Sequence, residues 1–160
     1  MYKRILSPID GSAPSDRGLL ESIRLAQALQ AELRLLHVVD LHPLLPDDNG
    51  GIPIHPDLAE LFRRAGAQLL HRAVRTSREH GVPAHAAMHE VSDMRVAERI
   101  VQEAASWPAE IVVMGTHGRR GVGGVLLGST AEAVARLSAV PVLLVPALQR
   151  LPQDPANRAA

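Results

Sequence analysis

Apolar residues follow two rhythms along the chain. Short, mainly apolar runs alternate with longer stretches in which apolar positions return every three or four residues. Ile5 to Ile9 is the first run, and it stops at Asp10-Gly11-Ser12. A helix is expected from about Ser15, with Leu19, Leu20, Ile23 and Ala26 on one face. Leu33 to Val39 reads as a buried strand. Leu41 to Pro56 carries four prolines and two glycines and predicts a long irregular loop. Leu58, Leu61, Phe62, Ala65, Leu69, Leu70 and Ala73 then mark an amphipathic helix that Gly81 ends. Ala84 to Met88 is a weaker strand, without a strong β-former. Asp93 is placed to cap a third helix with Ala97, Ile100, Val101 and Ala104 as its buried stripe. Ile111 to Met114, a helix from Ser129 to Leu137 and the run Val142 to Val145 close the pattern. Five strands alternating with four helices predict an α/β fold, a parallel sheet with helices on both faces.

Composition narrows the function classes. At 160 residues, one domain is expected. Basic and acidic residues balance at 17 each, so no general field draws the chain to nucleic acid or acidic lipid. Aromatics are 2%, which leaves little to stack on bases. Cysteine is absent, which excludes disulfides, thiolate metal sites and thiol nucleophiles. Ser7, Pro8 and Asp10 break the N-terminal apolar run too early for a signal peptide, and no run approaches the ~20 residues of a membrane span. A soluble, cytoplasmic protein is expected, with neither nucleic acid nor membrane as partner.

Six of the twelve glycines fall between Gly115 and Gly128. They follow a strand and precede a helix, an order that presents backbone N–H groups to an anion. The Walker pattern fails here because Ser129 stands where its lysine belongs. The Rossmann pattern fails because Leu126 takes its third glycine position and the loop lies late in the chain. What remains is Gly115-x-x-Gly118, nine residues, then Gly128-Ser129.

That spacing resembles the ATP-binding signature of the universal stress protein family. The opening Tyr2-Lys-Arg-Ile-Leu-Ser-Pro-Ile-Asp-Gly-Ser12 is similar to the family's first strand and acidic turn. Leu35 to Val39 is similar to its second strand, and Val140 to Val145 to its last. The pair Gly123-Gly124 departs from the pattern and leaves the anchor glycines intact. The resemblance covers roughly residues 1–147; the tail, 148–160, is expected to be disordered. With right-handed crossovers it implies a doubly wound five-stranded sheet in the order 3-2-1-4-5. Strands 1 and 4 then diverge and open a crevice at their carboxyl ends.

The resemblance also implies a ligand, ATP or another adenine nucleotide with Mg2+ carried on its phosphates. Pro8, Ile9 and Asp10 would line the adenosine, and Val38 would offer its backbone to the adenine edge. Met114, Gly115, His117, Gly118, Arg119, Gly128, Ser129 and Thr130 would complete the nucleotide site, with the Ser129 and Thr130 amides and Arg119 toward the phosphates. Plainer readings stand beside these. Asp10 in Asp-Gly-Ser suits an Asx-turn or helix cap. Ser129-x-x-Glu132 suits a capping box, which still leaves the following amides at the positive end of the helix dipole. Arg119 and Arg120 suit either phosphate or solvent.

Eight histidines raise the question of a metal. His85 and His89 lie four residues apart on a predicted strand, roughly 13 Å along it and too far for one ion. His37 and His42 lack a carboxylate pattern around them, so no metal site is expected. A regulatory nucleotide-binding protein is the expected function rather than an enzyme. An adenylating enzyme or slow ATPase on the same fold is the alternative, as is an interaction module without nucleotide. The loop has no acidic residue between Gly115 and Thr130 to serve as a general base. The final strand, Val142 to Val145, would lie at a sheet edge without charges, which predicts a homodimer through it.

Overall fold

The computed structural model describes residues 1–42, 56–116 and 127–146. In order they form β1 (Arg4–Pro8), α1 (Ala13–Leu29), β2 (Glu32–Asp40), α2 (Pro56–Glu79), β3 (Ala84–Val91), α3 (Val96–Ser106), β4 (Ile111–Gly115), α4 (Ser129–Leu137) and β5 (Val142–Val145). The strands make one parallel sheet in the order β3-β2-β1-β4-β5, as the sequence pattern and the resemblance imply. Most of the loop expected over 41–56, and all of the tail, lie outside the described residues.

Side-chain alternation along the central strands builds two cores. Ile5, Leu33, Leu35, Ile111 and Val113 face α1 and α2, where they meet Ile23, Leu69, Leu70 and Ala73. Leu6, Leu36, Val112 and Met114 face α3 and α4, against Ala97, Ile100 and Val134. A sheet covered on both faces explains why its inner strands are continuous apolar runs. Ser7 and His37 are the buried polar exceptions. The hydroxyls of Ser7 and Ser22 lie 2.8 Å apart, and Ser22 also lies 2.7 Å from the Gly18 carbonyl it can donate to.

Several boundaries move from their sequence positions. Helix α1 begins at Ala13, not Ser15, because Pro14 fits the first turn and Ser12 is the N-cap. Strand β3 runs on to Val91, since eight register pairs with β2 hold a run in which only Val91 has a strong strand preference. Arg95, not Asp93, is the N-cap of α3; its N–H donates to the Glu98 carboxylate at 3.2 Å. Gly81 does end α2, two residues past Glu79, at φ +74.

Candidate functional site

The carboxyl ends of β1, β2 and β4 meet the N-terminus of α4 around a cavity of about 520 Å³. It lies where chain connectivity turns in opposite directions from β1 and β4, the place where open α/β sheets receive ligands. Pro8, Ile9 and Asp10 contribute the β1 side, and Val38 lies on β2. Met114 and Gly115 end β4, and Gly128, Ser129 and Thr130 open α4. These expected site residues line one cavity. His117, Gly118 and Arg119, with Arg120, lie outside the described residues.

The turn after β1 is built from short polar bonds. Gly11 takes φ +79, which only glycine adopts readily. Ser12 donates its N–H to Asp10 Oδ1 at 2.9 Å, and Asp10 donates its own N–H to Ser15 Oγ at 3.0 Å. Ser15 N–H in turn donates to Ser12 Oγ at 3.3 Å. Asp10 therefore makes the Asx-turn, while Ser12 does the capping.

Two bonds fix the ends of the glycine loop, one between them and one to β5. Gly128 donates its N–H to the Thr116 carbonyl at 2.8 Å, and Thr116 donates its N–H to Val145 at 3.0 Å. Gly128, not Ser129, is the N-cap of α4 and makes no side-chain cap bond, so the expected Ser129-x-x-Glu132 capping box does not form. Glu132 N–H closes the first helical bond on the Gly128 carbonyl at 2.9 Å. The amides of Ser129, Thr130 and Ala131 precede that bond and have no intrahelical acceptor. They lie at the positive end of the helix, beside the cavity. Gly128 itself has φ −63 and ψ 143, which any residue can adopt. Any need for glycine there is a need for room.

Sequence reasoning missed both side walls. On one wall stand Phe62, Ala65 and Gly66 of α2, and on the other Val96 and Ile100 of α3. Phe62 was legible only as a core position, and Val96 opens a helix whose start was misplaced. Helix α2 is tied over the cavity by Arg63, whose guanidinium meets both oxygens of Glu90 on β3 at 2.8 and 3.0 Å. The hydrogen bond from Arg63 holds the Glu90 carboxyl below the usual range. His37 and Asp40 of β2 also line the cavity. Asp40 Oδ1 accepts from the N–H of His42 at 3.1 Å and lies 2.8 Å from its Nδ1. Among the described lining residues, Asp10 and Asp40 carry charge and no lysine or arginine does.

A second polar cluster lies outside the cavity lining, where α3 packs on β2 and β3. Glu103 of α3 is buried, 2.7 Å from Arg34 Nη1 and 2.8 Å from His89 Nε2. Arg34 also lies over the Trp107 ring at 4.7 Å. Burial pushes the Glu103 carboxyl up, but hydrogen bonds from Arg34 and His89 outweigh it and hold the group below its ordinary value. Among the described residues no three His, Asp or Glu side chains gather as a metal site, and no helix is long and apolar enough to cross a membrane.

Comparison with known proteins agrees with this architecture. The family model described as the universal stress protein family matches residues 1–146. Universal stress protein MJ0531 of Methanocaldococcus jannaschii is 34% identical over 91% of this chain and 82% of its own. The solved structure of protein MJ0577 superposes with a TM-score of 0.80 at 24% identity, over 94% of this chain and 99% of that one. A universal stress family protein from Burkholderia pseudomallei reaches 0.74 at 32% identity, over 91% and 97%. Two more distant structures share the fold. A universal stress protein in complex with cAMP has a TM-score of 0.64 at 21% identity, over 92% and 99%. One from Archaeoglobus fulgidus in complex with dAMP has 0.62 at 18%, over 91% and 98%. On a match that spans all of its described residues, the chain belongs to the universal stress protein family.

Proposed function

We propose that this chain is an adenine-nucleotide-binding regulatory protein of the cytoplasmic stress response, acting as a homodimer rather than as an enzyme. The carrying observation is the cavity at the β1/β4 divergence, with apolar walls in the middle and helix-end amides at one side. Its volume suits a small-molecule ligand. Phe62, Val96 and Ile100 suit a flat heteroaromatic base, and the Asp10 carboxylate suits a ribose hydroxyl. The amides of Ser129, Thr130 and Ala131 suit phosphate. His117, Gly118 and Arg119 belong to the same proposal by sequence alone, as does Mg2+ carried on the phosphates. Two fold relatives in complex with cAMP and dAMP support adenine as the base.

The dimer rests on β5. It ends the sheet, and Leu143 on it is 38% exposed. Pro141 and Pro146 bracket the strand and confine edge pairing to a short segment, which favours a closed pair over a fibre.

The decisive test of the ligand is direct. Purified protein is denatured and the released small molecules are separated by chromatography with ultraviolet detection. An adenine nucleotide approaching one per chain supports the reading. Protein that carries none, and binds none when supplied, rules it out.

A further inference from the structure

The α2 side of the cavity carries an imidazole that the family pattern did not single out. His37 is 7% exposed and lines the cavity. Its Nδ1 lies 2.8 Å from the Ile9 carbonyl. A carbonyl only accepts, so Nδ1 carries the proton. Ile9 N–H donates to the Leu36 carbonyl at 2.8 Å, so β2 and the imidazole beside it engage both backbone polar groups of Ile9. The next residue is Asp10.

The ring fits only because α2 leaves space for it. A Cβ on Gly66 would stand 2.5 Å from His37 Cδ2, 3.0 Å from Nε2 and 3.3 Å from Met88 Sδ. The imidazole thus sits in a notch of α2, between the helix and the exit of β1.

We propose that His37 is a positioning residue: through Nδ1–H and the Ile9 carbonyl it fixes the Ile9–Asp10 exit of β1 against α2. With that donor removed, a buried carbonyl loses its partner and the segment that bears Asp10 shifts. The consequence for ligands rests on the adenine-nucleotide reading. Only the nucleoside end is affected, because α4 packs with α3 on one face of the sheet while His37 packs against α2 on the other.

The test compares AMP with inorganic triphosphate by titration, and follows the Asp10 and Gly11 amides by NMR without ligand. His37→Leu is expected to lower AMP affinity about tenfold and triphosphate affinity less than about twofold. His37→Asn, whose amide N–H stands near the Nδ1 position, is expected to recover AMP affinity to within about threefold. In the ligand-free protein, the Asp10 and Gly11 amides shift in His37→Leu and return in His37→Asn. Should His37→Leu fail to fold, Gly66→Ala displaces the ring instead and is expected to show the same ligand split. Equal losses for both ligands, no rescue by asparagine, or unmoved amides each overturn the proposal. A wild-type protein that binds neither ligand while these amides move as expected removes the nucleotide reading and leaves the positioning role standing.

Discussion

A Cβ on Gly18 would stand 2.8 Å from the amide nitrogen of Gly115. The contact is mutual, because a Cβ on Gly115 would stand 2.5 Å from the Pro14 carbonyl oxygen and 2.9 Å from the Ser15 nitrogen. Helix α1 therefore lies backbone to backbone on the end of β4. The first glycine of the loop signature has a packing reason to be glycine, independent of any ligand.

Gly115→Ala should force α1 away from β4 and cost about 1–3 kcal/mol, the usual range for overpacking. Gly18→Ala presses on the same contact. The double variant should lose less than the sum, since one displacement relieves both. Urea midpoints of the three variants check this, and strict additivity would refute the shared contact.

Acid should selectively remove the contribution of Glu103. Its carboxyl is held below the ordinary value in the fold. The stabilisation is therefore complete above the ordinary glutamate value, about pH 4.3, and is lost as pH falls through the lower folded value. Glu103→Gln should be less stable than wild type at pH 7, with the gap closing in acid. A gap constant from pH 7 to 3 would show that the ionised network contributes nothing.

Asp10→Ala should weaken ATP more than inorganic triphosphate if Asp10 serves the nucleoside end. Loss of the Asx-turn adds a small stability cost, about 1 kcal/mol. Parallel titrations of the two ligands separate the roles. Equal losses would assign Asp10 to the turn alone.

The β5 edge calls for a substitution at Leu143. Leu144 packs against the core shared with α3 and α4, so lysine there would disturb the fold itself. Leu143→Lys puts a charge on the exposed position and should shift a dimer toward monomer. Light scattering at tens of micromolar measures it. A wild-type monomer, or an unchanged Leu143→Lys dimer, would remove this edge as the interface.

The sheet order and the divergence of β1 and β4 were legible because apolar runs, helical periodicity and the ends of the glycine loop all point to one topology. Helix boundaries were less so. Ser12 and Gly128 are caps, yet Ser15 and Ser129 look equally suitable in sequence, and only the backbone trajectory separates them. The cavity walls were hidden for another reason. Phe62, Val96 and Ile100 obey helical periodicity, so nothing in the pattern distinguishes an apolar residue packed in the core from one facing an empty space. His37 was weighed in the sequence only as a metal ligand and set aside, because its partner is a backbone carbonyl just past the end of β1. Gly66 was invisible for the same reason, since its value lies in an imidazole 29 residues earlier in the chain.

Calorimetric titration of ATP into the wild type and Gly128→Val tests nucleotide binding most directly. Backbone φ at Gly128 permits valine, so the variant should fold and differ chiefly in the room left at the α4 N-terminus. The expected result is saturable binding near one ATP per chain, weakened by at least about tenfold, or about 1.4 kcal/mol, in the variant. No saturable binding by the wild type, or equal affinity in both proteins, would contradict an adenine-nucleotide site built on this cavity.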